Sequence, residues 1–195
     1  MIPGFNLANQ LTLSRLALGP LFLLVYLSGW EFAVEAALCI AIVIEATDVA
    51  DGIAARSRQQ VSDVGKLLDP MSDTIARLSY YIGFLVAGYA EVWMVVVLVY
   101  RDVVVAYLRV FSALTGTAMG RRTSGKWKGI LQGAVALTVL ALDVVHHRIF
   151  VIPYFSEIVY GLLVFVTIYT AFTFVEYMLG NRPLLLEIRR RGRAR

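Results

Sequence analysis

The stretch Asp48-Val49-Ala50-Asp51-Gly52-Ile53-Ala54-Ala55-Arg56 is followed after eight residues by Gly65-Lys66-Leu67-Leu68-Asp69-Pro70-Met71-Ser72-Asp73. Long apolar runs flank both ends of this region, so the four aspartates of the two segments are expected at, or just inside, the surface of a lipid bilayer. Charged residues inside a membrane are energetically costly and by default mark function. Four carboxylates gathered in one place also need bound cations to balance their charge.

The composition indicates an integral membrane protein rather than an ordinary soluble domain. Of the 195 residues, 59% are hydrophobic and only 16% are charged. We predict an all-α integral membrane protein that forms a single domain over residues 1–195. The segment 1–9 is too short to span and is predicted to be a short N-terminal interfacial helix. Crossing the hydrocarbon core takes about 20 residues, and six stretches approach that length: Leu11–Ser28, Phe32–Asp51, Leu67–Gly88, Val92–Leu114, Gly129–Val145 and Tyr154–Met178.

Basic residues are concentrated in alternate connecting segments. Most of the 18 Lys and Arg residues fall in Arg56–Lys66, in Arg121–Lys128 and in the tail 182–195, whereas the opposite loops contribute only Arg148. The positive-inside rule therefore predicts a multi-pass protein of the cell (inner) membrane, with both termini and the acidic site facing the cytoplasm. Because the basic tail adjoins a predicted span, we interpret it as attracted to anionic membrane lipid rather than to nucleic acid.

The spacing of the four aspartates predicts a divalent-metal site. Helical residues three or four apart share a face, so Asp48 pairs with Asp51 at the end of one helix, and Asp69 pairs with Asp73 at the start of the next. A helical hairpin with a short turn would place the two pairs opposite one another. Four oxygen ligands favour Mg²⁺, Mn²⁺ or Ca²⁺ over zinc.

Two glycines and an arginine belong to the same pattern. Gly52 follows Asp51, and Gly65 is expected to start the next helix; each lets a ligand or a backbone approach closely. Arg56 lies where it could pair with a phosphate bridged to the metals. A single such aspartate is often a helix cap or a surface acid, but that explanation does not fit the whole set.

The segment Asp48–Asp73 carries D-x2-D-G-x2-A-R-x8-G-x3-D-x3-D. It thereby resembles, without a departure, the signature of the CDP-alcohol phosphotransferase (CDP-alcohol phosphatidyltransferase) family. The resemblance implies a six-helix membrane enzyme, usually a homodimer, that displaces CMP from a CDP-linked lipid with an alcohol. It also implies two divalent ions, Mg²⁺ or Mn²⁺. By resemblance, the metal ligands are Asp48, Asp51, Asp69 and Asp73, the general base is Asp73, and the CDP-binding residues are Asp48, Asp51, Gly52, Arg56, Gly65 and Asp69.

The acceptor alcohol has to be inferred from other parts of the chain. Arg109, Lys126 and Lys128 form a predicted cradle for an anionic acceptor such as a phosphorylated polyol. Within the family, the chain is most similar to phosphatidylglycerophosphate synthases, which share patterns with three of its segments. Asp102 departs from those patterns, where Glu is usual, and so does Gly129, where Thr is common. The segments are Asn9–Arg15 with the pattern N-x2-T-x2-R, Arg101–Arg109 and Gly125–Gln132.

The resulting hypothesis is phospholipid biosynthesis from CDP-diacylglycerol and glycerol 3-phosphate, with phosphatidylglycerophosphate and CMP as products. Inositol phosphate or another alcohol is the alternative acceptor; serine is disfavoured because it needs no phosphate cradle. A divalent-cation transporter is the alternative from another class. A transporter would place acids or broken helices near the midplane and on both sides of it. The clustering of all four acids near one surface favours the enzyme.

Overall fold

The computed structural model describes the backbone of residues 7–58, 63–116, 123–182 and 184–186, and the side chains of 12–50, 70–116, 124–182 and 184–186. The elements in these ranges are helices, which confirms the all-α prediction. They are α1 (Leu7–Tyr26), α2 (Ala33–Arg58), α3 (Asp63–Val86), α4 (Val92–Thr115), α5 (Thr123–Arg148) and α6 (Phe155–Gly180).

Two of the described helical segments, Ser124–Arg148 and Phe155–Gly180, are long and apolar enough to cross a membrane. The apolar segment Thr12–Tyr26 is shorter. These helices support association with a membrane. Two predictions remain: that each of the six helices spans the bilayer, and that residues 1–9 form an interfacial helix. Residues 1–6 lie outside the described residues. So does the basic tail 182–195, except for Arg182 and 184–186.

The helices that carry the acidic signature extend beyond the apolar runs that predicted them. α2 continues through Asp51 to Arg58, and α3 begins at Asp63, so Gly65 lies inside α3 rather than at its start. Hydropathy detects only the apolar part of a helix, whereas the backbone hydrogen bonds continue into the polar part. The predicted short connection between the two acid pairs therefore corresponds to residues 59–62, which lie outside the described residues.

The C-terminal end of α3 is capped at Gly88. Its φ of 80° is left-handed, a conformation that costs glycine little. The Gly88 N–H bonds the carbonyl of Leu85 at 3.1 Å, and the Tyr89 N–H bonds that of Phe84 at 2.9 Å. This is the Schellman arrangement, which satisfies carbonyls left open at the helix end. The chain can then turn directly into α4.

The helices pack so that α1 lies against α2 and α3, α5 lies against α2 and α6, and α4 lies against α3 and α6. α1 approaches α3 closely at Gly19, where a Cβ would lie only 3.0 Å from Ala76 Cα. Small residues allow this proximity between membrane helices. Phe22, Tyr80 and Phe84 continue the contact into the buried core. The contact fixes the helical turns that precede Gly19 and Ala76 against one another.

A polar cluster joins helix ends at the end of the bundle opposite the acidic signature. Asp143 of α5 is 3% exposed and accepts hydrogen bonds from Tyr26 at 3.3 Å and Tyr89 at 3.0 Å. Its Oδ1 also lies 2.8 Å from His147 Nδ1. Three helix ends are thereby joined around one carboxylate.

We expect Asp143→Ala to destabilise the fold, because the hydroxyls of the buried Tyr26 and the half-buried Tyr89 lose their acceptor. An unsatisfied buried group costs about 1–3 kcal/mol. Thermal unfolding in detergent should show a clear fall in melting temperature, smaller for Asp143→Asn, which keeps one acceptor oxygen. An unchanged melting temperature for Asp143→Ala would show that these hydrogen bonds contribute little.

Candidate active site

The two halves of the acidic signature lie on α2 and α3, both of which pack against α1. Asp48 is on α2 and Asp73 is on α3, and the structure brings their carboxylates together. The other predicted metal and CDP residues lie on the helical backbone of α2 or α3, but their side chains are outside the described residues; these are Asp51, Gly52, Arg56, Gly65 and Asp69. Their assigned roles therefore remain predictions.

Arg15 of α1 joins the two described aspartates. Its Nη1 donates to Asp48 Oδ1 at 2.6 Å and also to Asp73 Oδ1. The Arg15 side chain is 1% exposed, so the guanidinium is held inside the bundle. Its position follows from the packing, because Arg15 lies one turn before Gly19 and Asp73 lies nearly one turn before Ala76. The Gly19–Ala76 contact thus brings the arginine to the acids.

Arg77 of α3 approaches the same pair of acids. Its Nη2 lies 3.9 Å from Asp48 Oδ2, and its Nη1 lies 3.8 Å from Asp73 Oδ2. A small cleft between α1, α2 and α3 is lined by these four side chains together with Ile44, Glu45 and Ala76. The cleft is therefore strongly polar in a bundle whose other contacts are mainly apolar.

The chemistry of this site fits a hard divalent cation. Asp48 and Asp73 both reach one nitrogen atom, so their oxygens converge at one place. Carboxylate oxygens are the ligands that Mg²⁺ and Mn²⁺ prefer. Among the described side chains there is no group of three or more His, Cys, Asp or Glu that could hold a metal, and that set excludes Asp51 and Asp69. Two of the four predicted ligands are thus placed together by the structure.

The predicted acceptor residues fall in different surroundings. Lys128 of α5 is 4% exposed, and its Nζ lies 2.7 Å and 2.8 Å from the two carboxylate oxygens of Asp102. Arg101 contacts the same carboxylate at 2.9 Å. Lys126 and Arg109 are exposed, and none of the contacts described joins Arg109 to either lysine. The buried cationic group in this region is therefore Lys128 with Arg101, and Asp102 balances part of its charge.

Sequence reasoning assigned no role to three side chains of the cleft: Arg15, Glu45 and Arg77. Helical periodicity would have identified two of them, because Glu45 is three residues before Asp48 and Arg77 is four after Asp73. Arg15 was visible as a charged residue in an apolar run and as the end of the N-x2-T-x2-R pattern. Its partners, 33 and 58 residues away, could not be read from local spacing.

Comparisons with known proteins match this chain to named relatives over most of its length. A family model described as CDP-alcohol phosphatidyltransferase matches residues 5–175. A CDP-diacylglycerol–glycerol-3-phosphate 3-phosphatidyltransferase of Bacillus subtilis (strain 168) is 30% identical, covering 91% of this chain and 95% of the relative. A protein of the same name from Rickettsia bellii (strain RML369-C) is 28% identical, covering 88% and 94%. A probable phosphatidylglycerophosphate synthase of Mycobacterium tuberculosis (strain ATCC 25618 / H37Rv) is 32% identical, covering 71% and 68%.

Proposed function

Because this chain belongs to the CDP-alcohol phosphatidyltransferase family, we propose that it transfers the phosphatidyl group of CDP-diacylglycerol to sn-glycerol 3-phosphate. The products are phosphatidylglycerophosphate and CMP. The names of its relatives support this choice of donor and acceptor. The single structural observation that carries the proposal is the convergence of Asp48 and Asp73 on Arg15 within one polar cleft.

In the proposed reaction, an acceptor hydroxyl attacks the phosphorus that carries the diacylglycerol. The new P–O bond forms as the bond from that phosphorus to the CMP oxygen breaks. Asp73 takes the proton of the attacking hydroxyl, and Arg15 holds the Asp73 carboxylate in place. Mg²⁺ or Mn²⁺ bound by Asp48, Asp51, Asp69 and Asp73 would supply positive charge to the diphosphate. Gly52, Arg56 and Gly65 would contact the CDP group.

The acceptor assignment draws support from the cationic residues beside the cleft. Lys128 and Arg101 are drawn together by Asp102, and Arg77 interacts electrostatically with both Asp102 and Lys128. These charged side chains lead from the acidic cleft to Lys128, one of the three predicted acceptor residues. A phosphorylated alcohol suits such a set of charges better than an uncharged one, since phosphate binds to fixed cations.

The proposed setting is the cell membrane, with the site open to the cytoplasm. Its support is the concentration of basic residues in alternate connecting segments. All six helices would span the bilayer, with segment 1–9 on its surface and the tail 182–195 attracted to anionic lipid. Assembly as a homodimer is proposed on family resemblance.

We expect the purified protein to form phosphatidylglycerophosphate and CMP only when glycerol 3-phosphate is supplied with CDP-diacylglycerol and Mg²⁺ or Mn²⁺. The kcat/KM for glycerol 3-phosphate should exceed that for inositol phosphate by at least about 100-fold, since a site that pairs specific polar groups of its substrate discriminates strongly against other substrates. Lipid products would be identified by mass spectrometry for each acceptor, including serine.

Two results would contradict this assignment. A faster reaction with inositol phosphate or serine would identify that alcohol as the acceptor. The transfer of the phosphatidyl group from CDP-diacylglycerol would still stand. Metal flux into proteoliposomes without any release of CMP would favour the cation transporter instead.

A further inference from the structure

Besides Arg15, two charged side chains of the cleft lie outside the family signature. Glu45 lies on α2 three residues before Asp48, and Arg77 lies on α3 four residues after Asp73. Since α2 and α3 are antiparallel, both are displaced from the aspartates in the same direction, toward the far end of the bundle. Each also shares a helix face with its aspartate.

Helix α5 is shaped to admit these two side chains. A Cβ at Gly129 would lie 3.2 Å from Arg77 Nη2, and a Cβ at Gly133 would lie 2.4 Å from Glu45 Oε2. The two glycines are four residues apart and therefore share one face of α5. Gly129 is also the position where this chain departs from the threonine common in phosphatidylglycerophosphate synthases. The space left by that departure is occupied here by the Arg77 guanidinium.

The two arginines approach opposite oxygens of the same carboxylates. Arg15 bonds Oδ1 of both Asp48 and Asp73, whereas Arg77 faces Oδ2 of both. The contacts of Arg77, at 3.8 and 3.9 Å, are electrostatic and too long for hydrogen bonds. Arg77 can thus set the orientation of the two carboxylate planes without capping their Oδ2 atoms with its own donors.

Glu45 is a third acidic side chain in the lining of the cleft that Arg77 also lines. It interacts electrostatically with Arg77. Gly129 and Gly133, one turn apart on α5, accommodate the Arg77 guanidinium and the Glu45 carboxylate next to one another along the same helix face.

We propose that Arg77, accommodated by Gly129 beside Glu45, whose side chain is accommodated by Gly133, is a positioning residue that orients Asp48 and Asp73 for metal binding and transfer. This inference rests on the proposed function. It assigns roles to four residues that lie outside the metal, CDP and acceptor sets predicted from the sequence. Partners that orient metal-binding carboxylates typically change metal affinity or activity by about 10–100-fold when removed.

The test uses Arg77→Met, Glu45→Gln and Gly133→Ala in the full-length protein. Each should lower kcat by about 10–100-fold and raise the Mn²⁺ concentration needed for half-maximal activity. KM for glycerol 3-phosphate should stay close to the wild-type value, and Arg77→Lys should recover part of the lost kcat. Gly133→Ala is the sharpest variant, since it keeps every charged group and its added Cβ meets Glu45 first.

The matched control is Gly161→Ala in α6, where an added Cβ meets nothing within 4 Å. It should retain wild-type kcat and metal dependence. A second measurement, the rise in melting temperature caused by Mn²⁺ alone, should shrink in the three test variants and not in the control. The melting-temperature shift also tests metal binding in a variant whose turnover is too low to measure.

Wild-type kcat and an undiminished Mn²⁺ shift in both Glu45→Gln and Gly133→Ala would overturn the proposal. A raised KM for glycerol 3-phosphate with unchanged kcat in Arg77→Met would overturn it as well, because Arg77 would then bind the acceptor. If the wild-type protein releases no CMP with any alcohol, the proposed function fails. The Mn²⁺ shift would still decide whether Glu45 and Arg77 orient the acids.

Discussion

Asp73→Asn should abolish the release of CMP from CDP-diacylglycerol in the presence of glycerol 3-phosphate. The asparagine amide keeps the size of the side chain but cannot take the proton of the attacking hydroxyl. Loss of a general base costs about 10²–10⁴ in rate. Asp73 is also a predicted metal ligand, so the measured loss should lie at or beyond the upper end of that range.

The measurement is CMP release by protein in mixed micelles, with the lipid product followed in parallel. Asp143→Asn is the matched control, because it makes the same change at an aspartate that lies at the opposite end of the bundle. It should keep wild-type turnover per folded molecule. Asp73→Asn should show a melting transition, so that lost activity is not lost fold. Turnover by Asp73→Asn within a few-fold of wild type would remove Asp73 from the chemistry.

Local spacing predicted the part of the site that lies within single helices. The signature placed Asp48 and Asp73 on facing helices, and the structure brings their carboxylates to one guanidinium. The all-helical fold followed equally from long apolar runs. These features depend on the 3.6-residue period and on hydrophobicity, which the sequence displays directly.

Contacts between distant helices were not predictable in this way. Arg15 meets its acids because Gly19 lets α1 approach Ala76 of α3. Gly133 likewise explains where Glu45 lies, although nothing near Glu45 in the sequence refers to α5. Such contacts depend on the shapes of the two helix surfaces that meet in the fold. The residue spacing within one helix describes only one of these surfaces. The acceptor cradle shows the same effect, since Lys128 and Lys126 are neighbours in sequence but only Lys128 is buried against Asp102.

Arg15→Met should cause the second large effect, a loss of both stability and turnover. Methionine approximates the length of the arginine side chain but removes the cation that hydrogen-bonds both Asp48 and Asp73 and leaves them only the longer contacts with Arg77. Removing one partner of a fully buried ion pair costs about 3–5 kcal/mol, and the cost here should be smaller because water reaches Asp48 and Asp73, which are 34% and 22% exposed. The melting temperature of the metal-free protein should fall strongly, and kcat should fall by about 100-fold or more.

Divalent metal should distinguish the role of Arg15 at the site from a general role in folding. If Arg15 neutralises the metal-binding acids, Mn²⁺ can replace part of the missing charge in Arg15→Met. The rise in melting temperature with Mn²⁺ should then be larger for this variant than for wild type. Arg15→Lys, which keeps one positive charge, should be intermediate in both stability and turnover.

Arg148→Met provides the comparison for Arg15→Met. Arg148 also forms an ion pair, at 2.5 Å from Glu35, but its side chain is 35% exposed at the opposite end of the bundle. Exposed ion pairs contribute little to stability, so its melting temperature should change less and its response to Mn²⁺ should match wild type. Equal effects of Arg148→Met and Arg15→Met on melting, kcat and the Mn²⁺ response would show that Arg15 has no specific role beside the acids.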